Sequence, residues 1–185
     1  MDLVADLTRL TGSEQDASSL LNLTAVELGV APDFASRALV ALALCRGGRR
    51  PEAVSASLSW REFESFCASL LKASGFEVTG NVSVRRPRAQ IDVVAFGPSL
   101  ILAVDCKHWR RESPHSALAR FASAQLKRNA LLRRTLSDPR PMVSAIVTLA
   151  EQRERFVDGV AVVPLHTLRS FLGSVEGHMD SLAVL

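Results

Sequence analysis

Two short apolar segments, each carrying one acid, place the tightest constraint on the fold of this chain. The first spans residues 91–96 and contains Asp92, and the second spans residues 100–106 and contains Asp105. Residues 97–99 separate them with the sequence Gly-Pro-Ser, which predicts a turn between two strands. In such a hairpin the start of one strand lies beside the end of the other, so we expect Asp92 to approach Asp105.

The lysine that follows the second acid indicates a catalytic or metal-binding site rather than a simple turn. Lys107 lies two residues beyond Asp105, and alternate residues of a strand point to the same face. Two carboxylates held together among apolar residues repel each other unless one is protonated or a cation joins them. Hard oxygen ligands with room for water suit Mg²⁺, and a lysine amine can orient a water or offset charge on a phosphoryl oxygen. Each acid taken singly also fits a turn residue or a surface ion pair.

The patterns around the hairpin predict a helix, three strands, a helix and a further strand. They follow a break at residues 46–51, where Gly and Pro punctuate the chain and where we predict a linker or long turn over residues 46–57. The predicted elements are a helix over residues 59–74, strands over 76–84, 91–96 and 100–106, a helix over 116–136, strands over 143–149 and 159–163, and a helix over 165–172. The first helix has Ser59 and Glu62 as a capping box. One face of it is apolar and carries Trp60, Phe63, Phe66, Cys67, Leu70 and Leu71.

Residues 1–57 are predicted to form a helical N-terminal region, and residues 58–185 a second domain. Apolar residues recur at helical spacing over 20–28, Gly29 stops that run, and a second helical run extends from Phe34 to Leu44. Helix, glycine turn and helix is the outline of a helix-turn-helix, but it also fits a helical packing or dimerisation element. Both interpretations stay open.

Basic residues are concentrated in the middle of the chain. Residues 58–135 carry 13 basic and 6 acidic residues, a net charge of +7, whereas residues 1–57 are net acidic. Nineteen of the 22 basic residues are arginine, whose planar fork suits phosphate, although a GC-rich genome would also favour arginine codons. The distribution indicates a polyanionic partner.

Several classes of protein are disfavoured by the composition. No apolar run approaches the roughly 18 residues that a membrane span needs, and acids stand where a secretory signal would carry bases. Three widely spaced cysteines, Cys45, Cys67 and Cys106, argue against a disulfide framework and against a zinc cluster. We therefore expect a cytoplasmic protein with no membrane partner.

The order helix, Asp92, turn, Asp105-x-Lys107, helix resembles the PD-(D/E)XK nuclease superfamily, and most of all Mrr-type restriction endonuclease domains and archaeal Holliday-junction resolvases. The resemblance covers roughly residues 59–150. It implies an α/β fold with an αβββαβ core, in which helices flank a central mixed sheet. It also implies a Mg²⁺-dependent DNA endonuclease, with Mn²⁺ as a substitute, that acts on branched or modified DNA in repair, recombination or restriction.

The resemblance also implies the residues of the site. The metal ligands would be Asp92, Asp105, the carbonyl of Cys106 and Glu64, the last directly or through water, with Glu62 as the next candidate for the helix acid. Lys107 would assist catalysis, and Gln125 would lie near the site unless it is a solvated helix residue. The sequence departs from the family in Ile91, where relatives often carry Pro, and in Asp105, where relatives usually carry Glu.

Basic side chains around this centre are the expected contacts to DNA phosphates. The residues expected to bind nucleic acid are Arg85, Arg86, Arg88, His108, Arg110 and Arg111. His108 also fits an ordinary strand-end histidine, and Trp109 either stacks on a base or caps the core. The thiol of Cys106 alternates to the other face of its strand and belongs to the core. A homodimer would supply two sites for two strands. The alternatives are a nucleic-acid-binding or assembly protein that keeps the fold without efficient cleavage, and an RNA endonuclease.

Overall fold

The computed structural model describes residues 2–33 and 35–185. Four helices occupy the N-terminal part of the chain: α1 (Leu3–Thr11), α2 (Glu14–Leu28), α3 (Arg37–Arg46) and α4 (Pro51–Ser55). The first two begin at capping side chains, because the Asp2 carboxylate and the Ser13 hydroxyl accept hydrogen bonds from main-chain N–H groups of the first turn. They end at Gly12 and Gly29, whose φ angles of 89° and 65° favour glycine.

This helical part differs from the prediction in three respects. Helix α1 has no predicted counterpart. Residues 46–57 are not a linker throughout, because α4 begins at Pro51, a position in the first helical turn where the missing N–H of proline is not needed. The helix predicted from Phe34 begins at Arg37, and Phe34 itself lies outside the described residues.

Helix α3 is buried on every side. All residues from 38 to 44 are between 0% and 7% exposed, and they pack against α1, α2 and α5 (Trp60–Ala73). A helix that is covered all round cannot lie in a DNA groove while this packing persists. The packing alternative therefore accounts for α3, and the DNA-reading alternative does not.

The predicted strands begin and end within two residues of the strands in the structure. After α5 the elements are β1 (Glu77–Val84), β2 (Ala89–Phe96), β3 (Ile101–Lys107), α6 (His115–Arg133), β4 (Met142–Thr148), β5 (Phe156–Val157), β6 (Val160–Pro164) and α7 (Leu168–Ser174). Short 3₁₀ segments flank α7 at Leu165–Thr167 and Val175–Ser181, so the predicted helix over 165–172 is only partly α-helical. The two-residue strand β5 has no predicted counterpart.

One six-stranded mixed sheet, in the order β1-β2-β3-β4-β6-β5, organises the chain. Strands β1, β2 and β3 are antiparallel neighbours, whereas β3, β4 and β6 run parallel, and helix α6 makes the crossover from β3 to β4. The predicted hairpin is present, with Val93 paired with Val104 and Phe96 with Ile101. The α/β fold with a central mixed sheet flanked by helices is confirmed.

Helices cover both faces of the sheet. Helix α5 buries Phe63 and Phe66 completely, in a core that also holds apolar residues of α1, α2, α3 and the sheet. Helix α6 packs on the opposite face through Leu118, Ala122 and Leu132. Trp60 does not share the buried face predicted for it, since it is 59% exposed.

The N-terminal helices share this core with the sheet, because Leu3, Leu21 and Val143 belong to the same cluster of buried residues. The domain boundary predicted after residue 57 stays a prediction. Within residues 2–33 and 35–185, no helix combines the length and the apolar character that crossing a membrane demands.

Candidate functional site

The ends of β2 and β3 bring the two predicted acids together. The antiparallel pairing of Val93 with Val104 is the last of the ladder, and one further step in the same register sets Asp92 opposite Asp105. Opposite residues of an antiparallel pair project from the same face of the sheet. The Asp92 carboxylate reaches across and accepts a hydrogen bond of 2.8 Å from the main-chain N–H of Cys106. The carbonyl of Cys106 lies beyond the last paired residues of β2 and β3.

Asp105 is buried, at 4% exposure, and its carboxylate contacts two cationic side chains. Lys107 places its Nζ 2.8 Å from Oδ2 of Asp105, and Arg128 places its Nη2 3.1 Å from Oδ1. The amine of Lys107 also lies 5.0 Å from the centre of the Phe121 ring, which restricts its position. The predicted sharing of one face by Asp105 and Lys107 is therefore present in the structure.

Gln125 connects the helix to this cluster. Its side chain is fully buried, its Nε2 donates to the Ala103 carbonyl at 3.3 Å, and its Oε1 accepts from Arg128 at 2.7 Å. The alternative of a solvated Gln125 is wrong, because the side chain has no access to solvent. Arg128 is absent from the predicted site residues. It lies three residues after Gln125, so the two side chains share one side of α6, but its contact with Asp105 depends on how α6 packs on β3.

Glu64 lies on α5, close enough to these acids to sense their charge. Burial, followed by repulsion from Asp92 and Asp105, raises the pKa of Glu64 to about 7, although Lys107 opposes the shift. Glu62 is not the helix acid of the site, because it is occupied elsewhere. Its carboxylate accepts from the Ser59 N–H in the predicted capping box and pairs with Arg37 at 3.1 Å.

The electrostatics of the strand acids fit a cation that keeps water ligands. Burial and the nearby charge of Asp105 raise the pKa of Asp92, and the hydrogen bond from Cys106 only partly offsets them. Oδ2 of Asp105 is buried, and the Lys107 amine lies 2.8 Å from it, so a metal ion would share this oxygen with Lys107.

Few side chains near Asp92 and Asp105 could act as metal ligands. Among residues 2–33 and 35–185, no group of three His, Cys, Asp or Glu side chains converges to hold a metal by itself. Two carboxylates, one main-chain carbonyl and several waters are nevertheless the kind of coordination that Mg²⁺ takes, since it gives up its waters reluctantly. The residues present therefore fit a hydrated divalent ion better than a tightly caged one.

Comparison with known proteins identifies the segment that carries this cluster. Residues 55–132 match the family model Mrr_cat, described as restriction endonuclease. Residues 55–132 are therefore similar to Mrr-type restriction endonuclease domains, and this segment is called the Mrr-type domain below. An uncharacterized protein of Archaeoglobus fulgidus is 25% identical over an alignment of 136 residues, and the match covers 69% of this chain and 100% of that protein. No solved structure gives a significant match.

The Mrr-type domain contains every residue of the cluster described above, from Glu64 on α5 to Arg128 on α6. The superfamily expected from the sequence, and its nearness to Mrr-type domains, are confirmed. The match thus indicates a nuclease of the restriction endonuclease type. The roles of the individual residues stay predictions.

The expected DNA-binding residues of the Mrr-type domain fall into two groups. Arg85, Arg86, Arg88 and Arg111 are exposed, and the first three lie in the turn between β1 and β2. His108 and Arg110 instead bond to main-chain carbonyls of the segment before α5: His108 Nε2 lies 2.9 Å from the Ser55 oxygen, and Arg110 donates to Ala56 at 3.0 Å. These two side chains join the end of β3 to the N-terminal helices.

The aromatic and sulfur side chains beside the site of the Mrr-type domain belong to its core. Trp109 packs against Phe121 with ring centres 5.1 Å apart, which favours the core-capping alternative over base stacking. Cys106 is buried on the opposite face from Asp105, and a hydrogen bond with Cys67 together with burial raises the pKa of its thiol well above the ordinary value. A thiol held in its protonated form is not a nucleophile.

The raised pKa of Glu64 predicts a pH dependence of stability for the metal-free Mrr-type domain. The unfolded carboxyl loses its proton near its ordinary pKa of 4.5, whereas the folded group keeps its proton until about pH 7. Between these values the folded state binds more protons, so the free energy of unfolding is expected to fall as pH rises. Chemical denaturation in EDTA at several pH values measures this slope.

The substitution Glu64→Gln is expected to reduce that slope, because the amide does not titrate. Glu112→Gln, which changes an exposed carboxylate on the loop after β3, serves as the matched control and should leave the slope as in the wild type. A slope that is the same in all three proteins would contradict the raised pKa of Glu64.

Proposed function

We propose that this chain is a divalent-metal-dependent endonuclease that hydrolyses phosphodiester bonds in DNA. One observation carries the proposal: within a nuclease domain, Asp92 and Asp105 stand opposite each other on neighbouring strands, and Lys107 contacts Asp105 at 2.8 Å. This combination gathers negative charge and one cationic amine at a single point of the sheet edge. The acid pair would be costly to maintain without a cation between its members.

Asp92, Asp105 and the carbonyl of Cys106 would hold the ion, and Glu64 would bind it directly or through water. Mg²⁺, or Mn²⁺ in its place, supplies a Lewis acid and lowers the pKa of a coordinated water. Where Glu64 binds through water, its carboxylate could accept a proton from that water. Lys107 donates a hydrogen bond to the attacking water or to a phosphoryl oxygen.

Arg128 and Gln125 orient the ligand carboxylate. Arg128 holds Oδ1 of Asp105 at 3.1 Å, and Gln125 fixes Arg128 at 2.7 Å and the β3 main chain at 3.3 Å. The other oxygen, Oδ2, pairs with Lys107 at 2.8 Å and is the one that would also bind the proposed ion. The guanidinium of Arg128 lies beside the site and could offset charge on the cleaved phosphate.

The surrounding charge supports DNA as the substrate. Residues 58–135 carry a net charge of +7, and the exposed Arg85, Arg86, Arg88 and Arg111 can contact phosphates without reading base sequence. We also propose a homodimer, whose two sites would cut two strands, and a helical unit of residues 1–57 joined to a nuclease unit of residues 58–185. Three free cysteines fit a reducing cytoplasm.

Cleavage of supercoiled plasmid tests the proposal. With Mg²⁺ or Mn²⁺ the protein is expected to convert supercoiled plasmid to nicked or linear DNA with 5′-phosphate ends, and EDTA is expected to stop the reaction. A branched substrate assayed in parallel tests the proposed action on branched DNA. DNA binding without cleavage under any divalent ion would overturn the proposal in favour of a binding protein that keeps the nuclease fold.

A further inference from the structure

An exposed tryptophan stands beside the proposed site. Trp60 is 59% exposed, although Phe63 and Phe66 on the same helix are fully buried. Among the described residues that are large, apolar and exposed, Trp60 is the sole aromatic one. An indole of this size in solvent offers a flat aromatic face that a binding partner can cover.

Helical geometry aligns Trp60 with the acid of the site. Trp60 and Glu64 are four residues apart on α5, so Glu64 follows Trp60 by one turn on the same side of the helix. The Arg61 guanidinium lies 5.0 Å from the centre of the indole ring. Arg61 also lowers the pKa of Glu64, against the dominant effect of burial, so its charge reaches the site. A cation stacked on an exposed indole at the rim of an acidic centre suits a partner with both phosphate and aromatic groups.

We propose that Trp60 is a stacking platform for an unpaired base of the DNA strand at the proposed site, with Arg61 contacting the neighbouring phosphate. This proposal rests on the proposed function and names its substrate class as DNA with a single-stranded or splayed nucleotide. In continuous duplex both faces of each base are covered by its neighbours, so only a base that has left the stack offers a face to the indole. Stacking on an aromatic side chain strengthens binding by about 5- to 100-fold per base and tolerates any base identity.

Tryptophan fluorescence provides a direct test, because the chain contains two tryptophans. The other one, Trp109, packs against Phe121, so Trp109→Phe leaves Trp60 as the sole indole. The probes are a flap DNA with a single-stranded arm and a fully paired duplex of equal length, both titrated in EDTA to prevent cleavage. Saturable quenching by the flap with little change on the duplex is the expected result. Equal signals from the two DNAs would overturn the platform.

Affinity measurements supply the second test. Trp60→Ala is expected to weaken flap binding by about tenfold and to leave duplex binding within about twofold, and Trp60→Phe should restore part of the loss. Leu23→Ala, which changes an exposed apolar residue on α2, is the matched control and should alter neither. Unchanged flap affinity in Trp60→Ala would overturn the proposal, as would quenching that depends on protein concentration alone, which would assign the indole to an interface between copies.

The outcomes separate this proposal from the proposed function. A wild-type protein that shows flap-specific quenching but no metal-dependent cleavage would keep the platform and reject the nuclease activity. A protein that cleaves plasmid with Mg²⁺, but whose Trp60→Ala variant matches the wild type on flap DNA, would keep the nuclease activity and reject the platform.

Discussion

Asp105→Asn is expected to abolish phosphodiester cleavage, with a loss of roughly 10³-fold or more. The asparagine side chain has the same shape and can still accept the hydrogen bond from Arg128, but it lacks the charge that would hold a divalent ion. It also leaves Lys107 without its partner, which removes the ion pair at 2.8 Å. Single-turnover cleavage of supercoiled plasmid with Mg²⁺ measures the loss, and circular dichroism verifies that the variant folds.

The control for this prediction is Asp180→Asn, which removes the same charge from an exposed position in the 3₁₀ segment after α7. It should retain the wild-type rate. Because the arginines proposed to contact phosphate are unchanged, DNA binding of Asp105→Asn in EDTA should stay close to wild type. If the folded Asp105→Asn protein cleaves as fast as the Asp180→Asn protein, the assignment of the site to Asp105 is wrong.

The largest expected effect on stability comes from Phe63→Ala, at about 3–5 kcal/mol of the free energy of unfolding. Phe63 is 0% exposed in the core between α5 and the sheet, and its ring lies 5.0 Å from that of His108. Truncation removes buried apolar area and leaves a cavity that its neighbours fill only in part. Urea denaturation measures the change, and a shift in midpoint with an unchanged slope identifies lost packing.

A loss of this size is a large part of the stability of an ordinary domain, so Phe63→Leu provides a milder variant if the alanine protein does not fold. Phe171→Ala is the matched control: Phe171 is only half-buried, and its truncation should cost clearly less. The loss in the free energy of unfolding should be largest for Phe63→Ala, smaller for Phe63→Leu and smallest for Phe171→Ala. A Phe63→Ala protein as stable as Phe171→Ala would contradict the packing of α5.

The strands and the main helices could be predicted from the sequence because their local signals agree with their tertiary surroundings. Apolar runs bounded by glycine and proline located β2 and β3, and the capping box at Ser59 located the start of α5. The two-residue strand β5 could not be found in this way, since it pairs only with β6 and is too short for any alternation. Helix α4 was missed because Pro51 was interpreted as a break rather than as a first-turn residue.

Some residues of the candidate site can be predicted from local sequence patterns, whereas others depend on tertiary packing. Asp105 and Lys107 follow from strand alternation, and Asp92 follows from the hairpin register. Arg128 depends on how α6 lies across β3, and no spacing along the chain reports that. Trp60 was misplaced for a related reason: periodicity shows which residues share a helix face, but not how far the packed surface extends along it.

The turn between β1 and β2, which carries Arg85, Arg86 and Arg88, determines where the protein would contact a DNA duplex. Arg88 precedes Asp92 by four residues, which is about 13 Å along the chain at the rise of an extended strand. At roughly 3.4 Å per base pair, that length spans about four steps of the double helix. Under the proposed function, the footprint of each bound protomer would extend to one side of its own cut rather than centre on it.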